Sequence, residues 1–410
     1  MKNLMKLCGR VVVASLLALV LGTGATHAQL NAYVANASSN SISVIDTATN
    51  TVTATLPLEG SPRGIAIDSV RSLAYVATAS QDTVTVLDLL TNAVVAVVPI
   101  GFSNDIVLSA NRDFVYVSVA GNSTVAVIDT ATNTVVAEIP IGDFSGVLAL
   151  ALAPDGSVYA ADDFGVVSVI DTATNTITST FATGATWTDI AFTPDGAFAY
   201  LSGYETGTLV LDMATRTVIA TIPTGNLQFG IAMTPNGAFV YQPGYFSEEI
   251  FVIDTAANSV VATIPVAGGA GIAMTPDGAF AYVATIADNV QVIDIATNTV
   301  VATVPVGTTP FRITIGRPVL TLRDQIAALG AQINALVEGG ALAPNQAFPL
   351  TNKLQQIVNR FDGGQTTAAC NQLGAFINQV NADIGSGTLT AAQGQALIDA
   401  AEAIQATLGC

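Results

Sequence analysis

The feature that most constrains this chain is a hairpin signature that returns seven times. It reads V-I-D-T-A-T-N-T-V or a close variant, and its aspartates are Asp46, Asp88, Asp129, Asp171, Asp212, Asp254 and Asp294. Successive copies lie 42, 41, 42, 41, 42 and 40 residues apart. A period near 40 with alternating β-branched residues belongs to a propeller or a β-solenoid. Each unit holds enough runs for four strands, which favours a propeller blade. In one unit, residues 271–274 (GIAM) suit a short strand buried on both faces. T-P-D-G at 275–278 makes a tight turn, and 280–284 (FAYVA), 289–294 (NVQVID) and 299–304 (TVVATV) supply three further strands.

Inner strands fall near 64–67, 105–108, 149–152, 189–192, 230–233, 271–274 and 312–315. The repeats begin at a second strand, 32–35 (AYVA), and finish with an inner one. The predicted fold is therefore an all-β seven-bladed propeller with 3+1 blade closure, the last inner strand completing the first blade and removing the open edges. After Pro318 the period changes from 2 to 3.6. Leu322, Ile326, Leu329, Ile333 and Leu336 form one apolar stripe that ends at Gly339-Gly340. Further helices are expected over 346–361, with Pro349 in the first turn or starting the helix, over 366–384, and from a capping box at Thr390 to Leu408. The expected domains are a signal peptide (1–28), the propeller (29–318) and a small all-α helical bundle (319–410).

The leader reading rests on Lys2, Lys6 and Arg10, the apolar run 11–22 and a small-x-Ala end at 26–28, with cleavage before Gln29. An uncleaved anchor is the alternative, but the run is short against the ~20 residues that span a bilayer. Membrane insertion is not expected. Removing the leader leaves 9 Lys+Arg against 30 Asp+Glu, a formal charge of −21. Nucleic-acid binding is excluded on that ground, because it needs basic patches. The single histidine, His27, leaves with the leader, so a Ser-His-Asp triad, a His-ligated haem and a His zinc site are also excluded. Cys370 and Cys410 remain, and an even pair in an exported chain reads as one disulfide, two free thiols being the alternative.

The Y-V-x-N/T stretches at 33–36, 75–78 and 282–285, with I-D-T-A-T-N-T-V and T-P-D-G, resemble the YVTN family of β-propeller repeats. Local departures are Y-Q-P-G at 241–244 and D-M-A-T-R at 212–216. That resemblance implies an exported or surface-layer scaffold with no single shared chemistry. The segment from Ala369 to Val380 with the ending Leu408-Gly-Cys410 is similar to the helical C-terminal module called FIMAH, which implies placement outside the cell.

The seven aspartates could ligate calcium, but each begins a hairpin where its carboxylate can accept backbone N–H bonds instead. Asp162-Asp163 reads as a loop cap rather than an acid-base pair, since adjacent strand residues point to opposite faces. Departures from the repeat are more informative. Leads into the inner strands carry Arg63, Asn104, Thr188, Phe229 and Phe311, and one position on the usual Gly becomes Asp105, Asp189 and Arg312. Trp187 lies beside them, and the loops between second and third strands add Phe164, Tyr204, Tyr245 and Phe246. Together they describe a mixed aromatic and acidic mouth for a small ligand, glycan or protein. Asp189 and Arg312 could also pair simply to close the funnel.

The function expected is an exported, non-enzymatic binding scaffold, secreted, periplasmic or at the cell surface, with no catalytic residue, metal or cofactor assigned. The alternatives are a propeller enzyme (lactonase, lyase or cofactor-dependent oxidoreductase) and a structural surface-layer component.

Overall fold

A computed structural model describes residues 30–142, 147–204, 206–317 and 322–410. The expected leader and the boundary at 318/319 lie outside the described residues. Strands and helices separate into two compact units.

The strands make a seven-bladed β-propeller of four-stranded antiparallel sheets. Blades are numbered here by their hairpin aspartates, from blade 1 (Asp46) to blade 7 (Asp294). Blade 2 runs outward through Pro62–Asp68, Leu73–Thr78, Thr83–Asp88 and Ala93–Pro99. The inner strands of blades 3 to 7 are Ser103–Leu108, Val147–Leu152, Trp187–Phe192, Ala232–Met233 and Gly269–Met274. Blade 1 takes its inner strand from the far end of the repeats: Pro310–Gly316 pairs with Asn31–Asn36, setting Ala32 opposite Ile315 and Val34 opposite Ile313. Each inner strand packs against the next, and the seventh against the first. Such close approach needs glycine: a Cβ on Gly230 would lie 2.5 Å from the Ala270 carbonyl oxygen, and one on Gly271 2.6 Å from that of Phe311.

The hairpin signature follows from its hydrogen bonds. Asp129 Oδ1 accepts the backbone N–H groups of Ala131 (2.9 Å) and Thr132 (2.8 Å), and Asp171 and Asp254 repeat the pattern. The asparagine four residues on turns left-handed, with φ of 53° at Asn133, which leads the chain into the outer strand. It also receives the preceding blade. Tyr282 of blade 7, fully buried, donates its hydroxyl to Asn50 Oδ1 of blade 1 (2.5 Å) and lies 3.2 Å from the Thr47 carbonyl. Tyr200 reaches Asn258, Tyr241 reaches Asn298 and Tyr116 reaches Asn175 in the same way. Burial pushes the Tyr282 hydroxyl up to about 12, so it stays a donor throughout the neutral range. Tyr159 of blade 4 has no such acceptor among the described residues, because Arg216 stands in the asparagine position and lies over Phe181 instead. The apolar core follows the same seams. Ala32, Val34 and Ile45 of blade 1 pack with Tyr282, Val290, Val292 and Val304 of blade 7.

One inner strand is shorter than expected. Blade 6 pairs only at Ala232–Met233, rather than over 230–233. The segment before it is held by side chains. Gln228 and Gln242, both fully buried, bond each other, and through Thr188, Thr208 and Thr224 they join blades 5 and 6. Side-chain partners thereby replace part of the backbone ladder.

The helical unit contains α1 (Leu322–Glu338), α2 (Pro344–Asp362), α3 (Thr366–Gly385) and α4 (Ala391–Leu408). Each packs on the next and α4 returns to α1, around Leu329, Ile333, Leu350, Ile357, Leu373, Phe376 and Ala401. The capping box is present: Gln393 Oε1 accepts the Thr390 N–H (3.0 Å) and Thr390 Oγ1 accepts that of Gln393 (3.3 Å). One expectation is corrected. Pro349 neither starts α2 nor lies in its first turn, because the helix starts two residues earlier than Gln346, with Pro344 in its first turn and the Gln346 side chain accepting the Ala343 N–H at 2.9 Å. A disulfide joins Cys370 in α3 to Cys410 beyond α4.

The tyrosine clasp predicts a matched pair of variants. Tyr282→Phe should lower unfolding free energy by about 1 kcal/mol. Tyr159→Phe, which loses no such bond, should change it by less than about 0.5 kcal/mol in the same denaturant titration. Equal losses would contradict the clasp.

A pH dependence follows from the turns. Backbone N–H groups of Thr132, Thr174 and Thr215 hold the carboxyls of Asp129, Asp171 and Asp212 below the ordinary range, and the Thr193 and Thr275 hydroxyls do the same for Asp195 and Asp277. A carboxyl held low stabilises the fold above its unfolded value, near ~4, and loses that contribution as pH falls through its folded value. Stability attributable to these groups should be flat above about pH 5 and decline below about pH 4. Constant stability on acidification would count against the turn account.

Candidate functional site

The residues singled out at the mouth share a backbone feature. At the start of each inner strand paired over this region, the ladder slips. In blade 2 the register jumps from Pro62 to Ile65, in blade 3 from Ser103 to Ile106, in blade 5 from Trp187 to Asp189, and in blade 1 the residue skipped is Phe311. A bulge leaves its extra residue unpaired and re-aims its side chain. Arg63, Asn104, Thr188 and Phe311 are those extra residues. Phe229 reaches the same rim from the unladdered segment of blade 6.

Arg312, Asp189 and Asp105 cross the bore. Arg312 starts on blade 1 and places Nη1 2.5 Å from Asp189 Oδ2 of blade 5 and Nη2 3.5 Å from Asp105 Oδ2 of blade 3. Its Nη2 also lies 3.3 Å from the Thr188 carbonyl. The carboxylates are further tied to backbone. Asp105 Oδ2 accepts the Leu150 N–H of blade 4 (3.0 Å), and Asp189 Oδ1 accepts that of Ile190 (2.9 Å). Burial pushes the Asp189 carboxyl up; Arg312 pulls against this, and neighbouring Asp105 adds to it. Burial also works against the Arg312 charge, yet Asp189 and Asp105 outweigh it and hold the guanidinium above the ordinary arginine range. One cation thus satisfies two acids from two other blades.

An aromatic row runs along the rim. Phe311 of blade 1 lies 5.7 Å from Phe229 of blade 6, Phe229 is 5.0 Å from Tyr245, and Tyr245 is 4.9 Å from Phe246, the last two pairs edge to face. Contact between blades 1 and 6 passes over blade 7, whose lead-in is Ala267-Gly-Gly-Ala-Gly271. A Cβ on Gly269 would meet Pro243 at 2.4 Å, so nothing bulky fits there. The Arg63 guanidinium stands 5.1 Å from the Phe311 ring centre and extends the row to blade 2. Phe246 is the most open member at 67% exposure.

Not every expected residue joins. Trp187 is a correction: it is fully buried, paired opposite Gly203, and packs between blades 4 and 5 with Tyr159, Ile190 and Leu201. Its ring N–H donates to Thr183 Oγ1 (3.2 Å), and it offers no surface to a ligand. Alternation explains this, since Trp187 precedes the bulged Thr188 and so faces the blade seam. Asn104 is half-buried on its bulge. Phe164 and Tyr204 are exposed, and no ring contact links them to the row. Asp162 caps its loop by accepting the N–H groups of Phe164 (3.0 Å) and Val166 (2.8 Å). The buried pair Gln228 and Gln242 was not anticipated in this role. Its signal was in plain view, since Y-Q-P-G breaks the apolar pattern of a second strand.

Fold and rim together define a seven-bladed propeller followed by a helical module. Residues 326–406 match the FIMAH domain family. No curated protein matches the sequence significantly. Among solved structures the chain is similar to hydrazine synthase from Kuenenia stuttgartiensis, with a TM-score of 0.59, 22% identity, and coverage of 64% of this chain and 92% of that one. It is also similar to the dihydro-heme d1 dehydrogenase NirN in complex with DHE, with a TM-score of 0.55, 20% identity, and coverage of 67% and 63%. At such identity the likeness shows the propeller fold alone.

Truncation of the central arginine tests the crossbar. Arg312→Leu leaves two acids facing each other in the bore and should cost about 3 kcal/mol in denaturant unfolding. Adding Asp105→Asn and Asp189→Asn should recover much of that loss. A variant as stable as the parent would remove the crossbar from the account.

Proposed function

We propose that this chain is an exported, non-enzymatic binding scaffold of the YVTN type, delivered by a cleaved signal peptide and presenting the rim of its propeller to an extracellular protein, glycan or small ligand. The observation that carries this reading is how the charges at the mouth are spent. Asp105 and Asp189, the acids closest to a catalytic arrangement, are both committed to Arg312 and to backbone N–H groups. A general acid or base needs a proton-accepting site free for substrate. What remains at the rim is the aromatic row and Arg63, the residue types that dominate recognition surfaces. Secretion, with the protein periplasmic, released or held at the surface, rests on the leader sequence, on the cysteine pair and on the FIMAH module.

A second reading, a propeller enzyme, draws on the names of the two similar structures, a synthase and a dehydrogenase. A structural surface-layer component is a third, and cell fractionation separates it from a released protein.

Affinity capture from the native envelope and surrounding glycans tests the proposal. The full chain should retain a partner that a Phe229→Ala, Phe311→Ala variant with unchanged melting does not. Equal capture by both would move the binding surface elsewhere, and turnover in a hydrolase or redox screen would favour the enzyme.

A further inference from the structure

Resting on the reading of the rim as a binding surface, the geometry points to one ligand class: an organic monocarboxylate with an apolar body, its carboxylate held by Arg63 and its body by Phe311, Phe229 and Tyr245. In a chain with 30 acids and 12 bases, Arg63 has no ion-pair partner among the described residues. Arg312 is paired twice, and Arg71 and Arg112 share Asp68. Arg63 instead lies over Phe311, and its Nε is buried without a protein acceptor. The Nε of Arg312, on the neighbouring blade, is in the same condition. Buried donors are normally satisfied, so the orphaned Nε–H of Arg63 marks a place for an acceptor.

A carboxylate matches a guanidinium fork with two parallel hydrogen bonds. The rings beside Arg63 then receive the apolar remainder, continuing from Phe311 through Phe229 to Tyr245. The chain's own charge limits the ligand to a single anion. At −18 overall, the protein repels a polyanion along its whole length, whereas one carboxylate in contact with Arg63 interacts within the screening distance.

Calorimetric titration of the full chain with 3-phenylpropionate, its neutral amide and N-acetylphenylalanine tests this. The carboxylates should bind and the amide should bind at least about tenfold more weakly, the worth of a charge-assisted pair. Arg63→Gln should reduce carboxylate affinity by a similar factor without changing the melting temperature, with Arg63→Lys between the two. Tighter binding of N-acetylphenylalanine would mark a peptide C-terminus as the source, and tighter 3-phenylpropionate a free small acid; either supports the assignment. Equal affinity for acid and amide, no effect of Arg63→Gln, or binding of neither carboxylate would overturn it. Capture from the envelope uses none of these probes, so it decides the rim reading separately.

Discussion

Everything in the strand unit depends on fitting seven inner strands around one axis with their backbones nearly touching. Glycine makes that approach possible at Gly64, Gly230 and Gly271, where a Cβ would strike the neighbouring inner strand. A ring built this way has no tolerance for an open seam. Its two ends must meet, and Pro310–Gly316 laid against Asn31–Asn36 joins them across nearly the whole repeat array. The contact of blade 7 with blade 1 is then reinforced by Tyr282 and Asn50, using the same bond that links blades 3 and 4, 5 and 6, and 6 and 7.

The rim residues occur where this regularity is relaxed. Bulges at the starts of the inner strands free Arg63, Asn104, Thr188 and Phe311 from the ladder; Arg63 and Phe311 meet at the rim, whereas Thr188 turns inward to Ser202 and Gln228. Where glycine gives way to Asp105, Asp189 and Arg312, the substituents reach across the bore and pair, one cation between two acids. Blade 7 contributes space instead of side chains, and that space lets aromatic residues of blades 1 and 6 meet. Specific placement of a few large groups on a rigid, repetitive frame is how propellers acquire different ligands on one architecture.

Much of this was legible in the sequence. Blade number, strand order and the role of the hairpin aspartates follow from spacing and turn chemistry, because each blade repeats one local solution. The helices were legible from their apolar stripe, with Pro349 misplaced because a first-turn proline was already supplied by Pro344. Less was legible at the rim. Equivalence of positions identified Arg63, Phe229, Phe311 and the Asp105–Asp189–Arg312 set, and raised the Asp189–Arg312 pair that the structure contains, but not the share of Asp105 in it or the ring contacts. Trp187 misled because one residue of alternation separates a rim position from a blade seam. The Gln228–Gln242 network was hidden for a different reason: its members come from four separate stretches of chain, and only the fold brings them together.

Amide hydrogen exchange across the seam addresses the ring most directly. Residues 312–315 and 32–35 form one ladder, so their amides should be protected together and lose protection together as denaturant is raised. Free-chain exchange at 312–315 with protection retained at 32–35 would contradict a ring closed by its two ends.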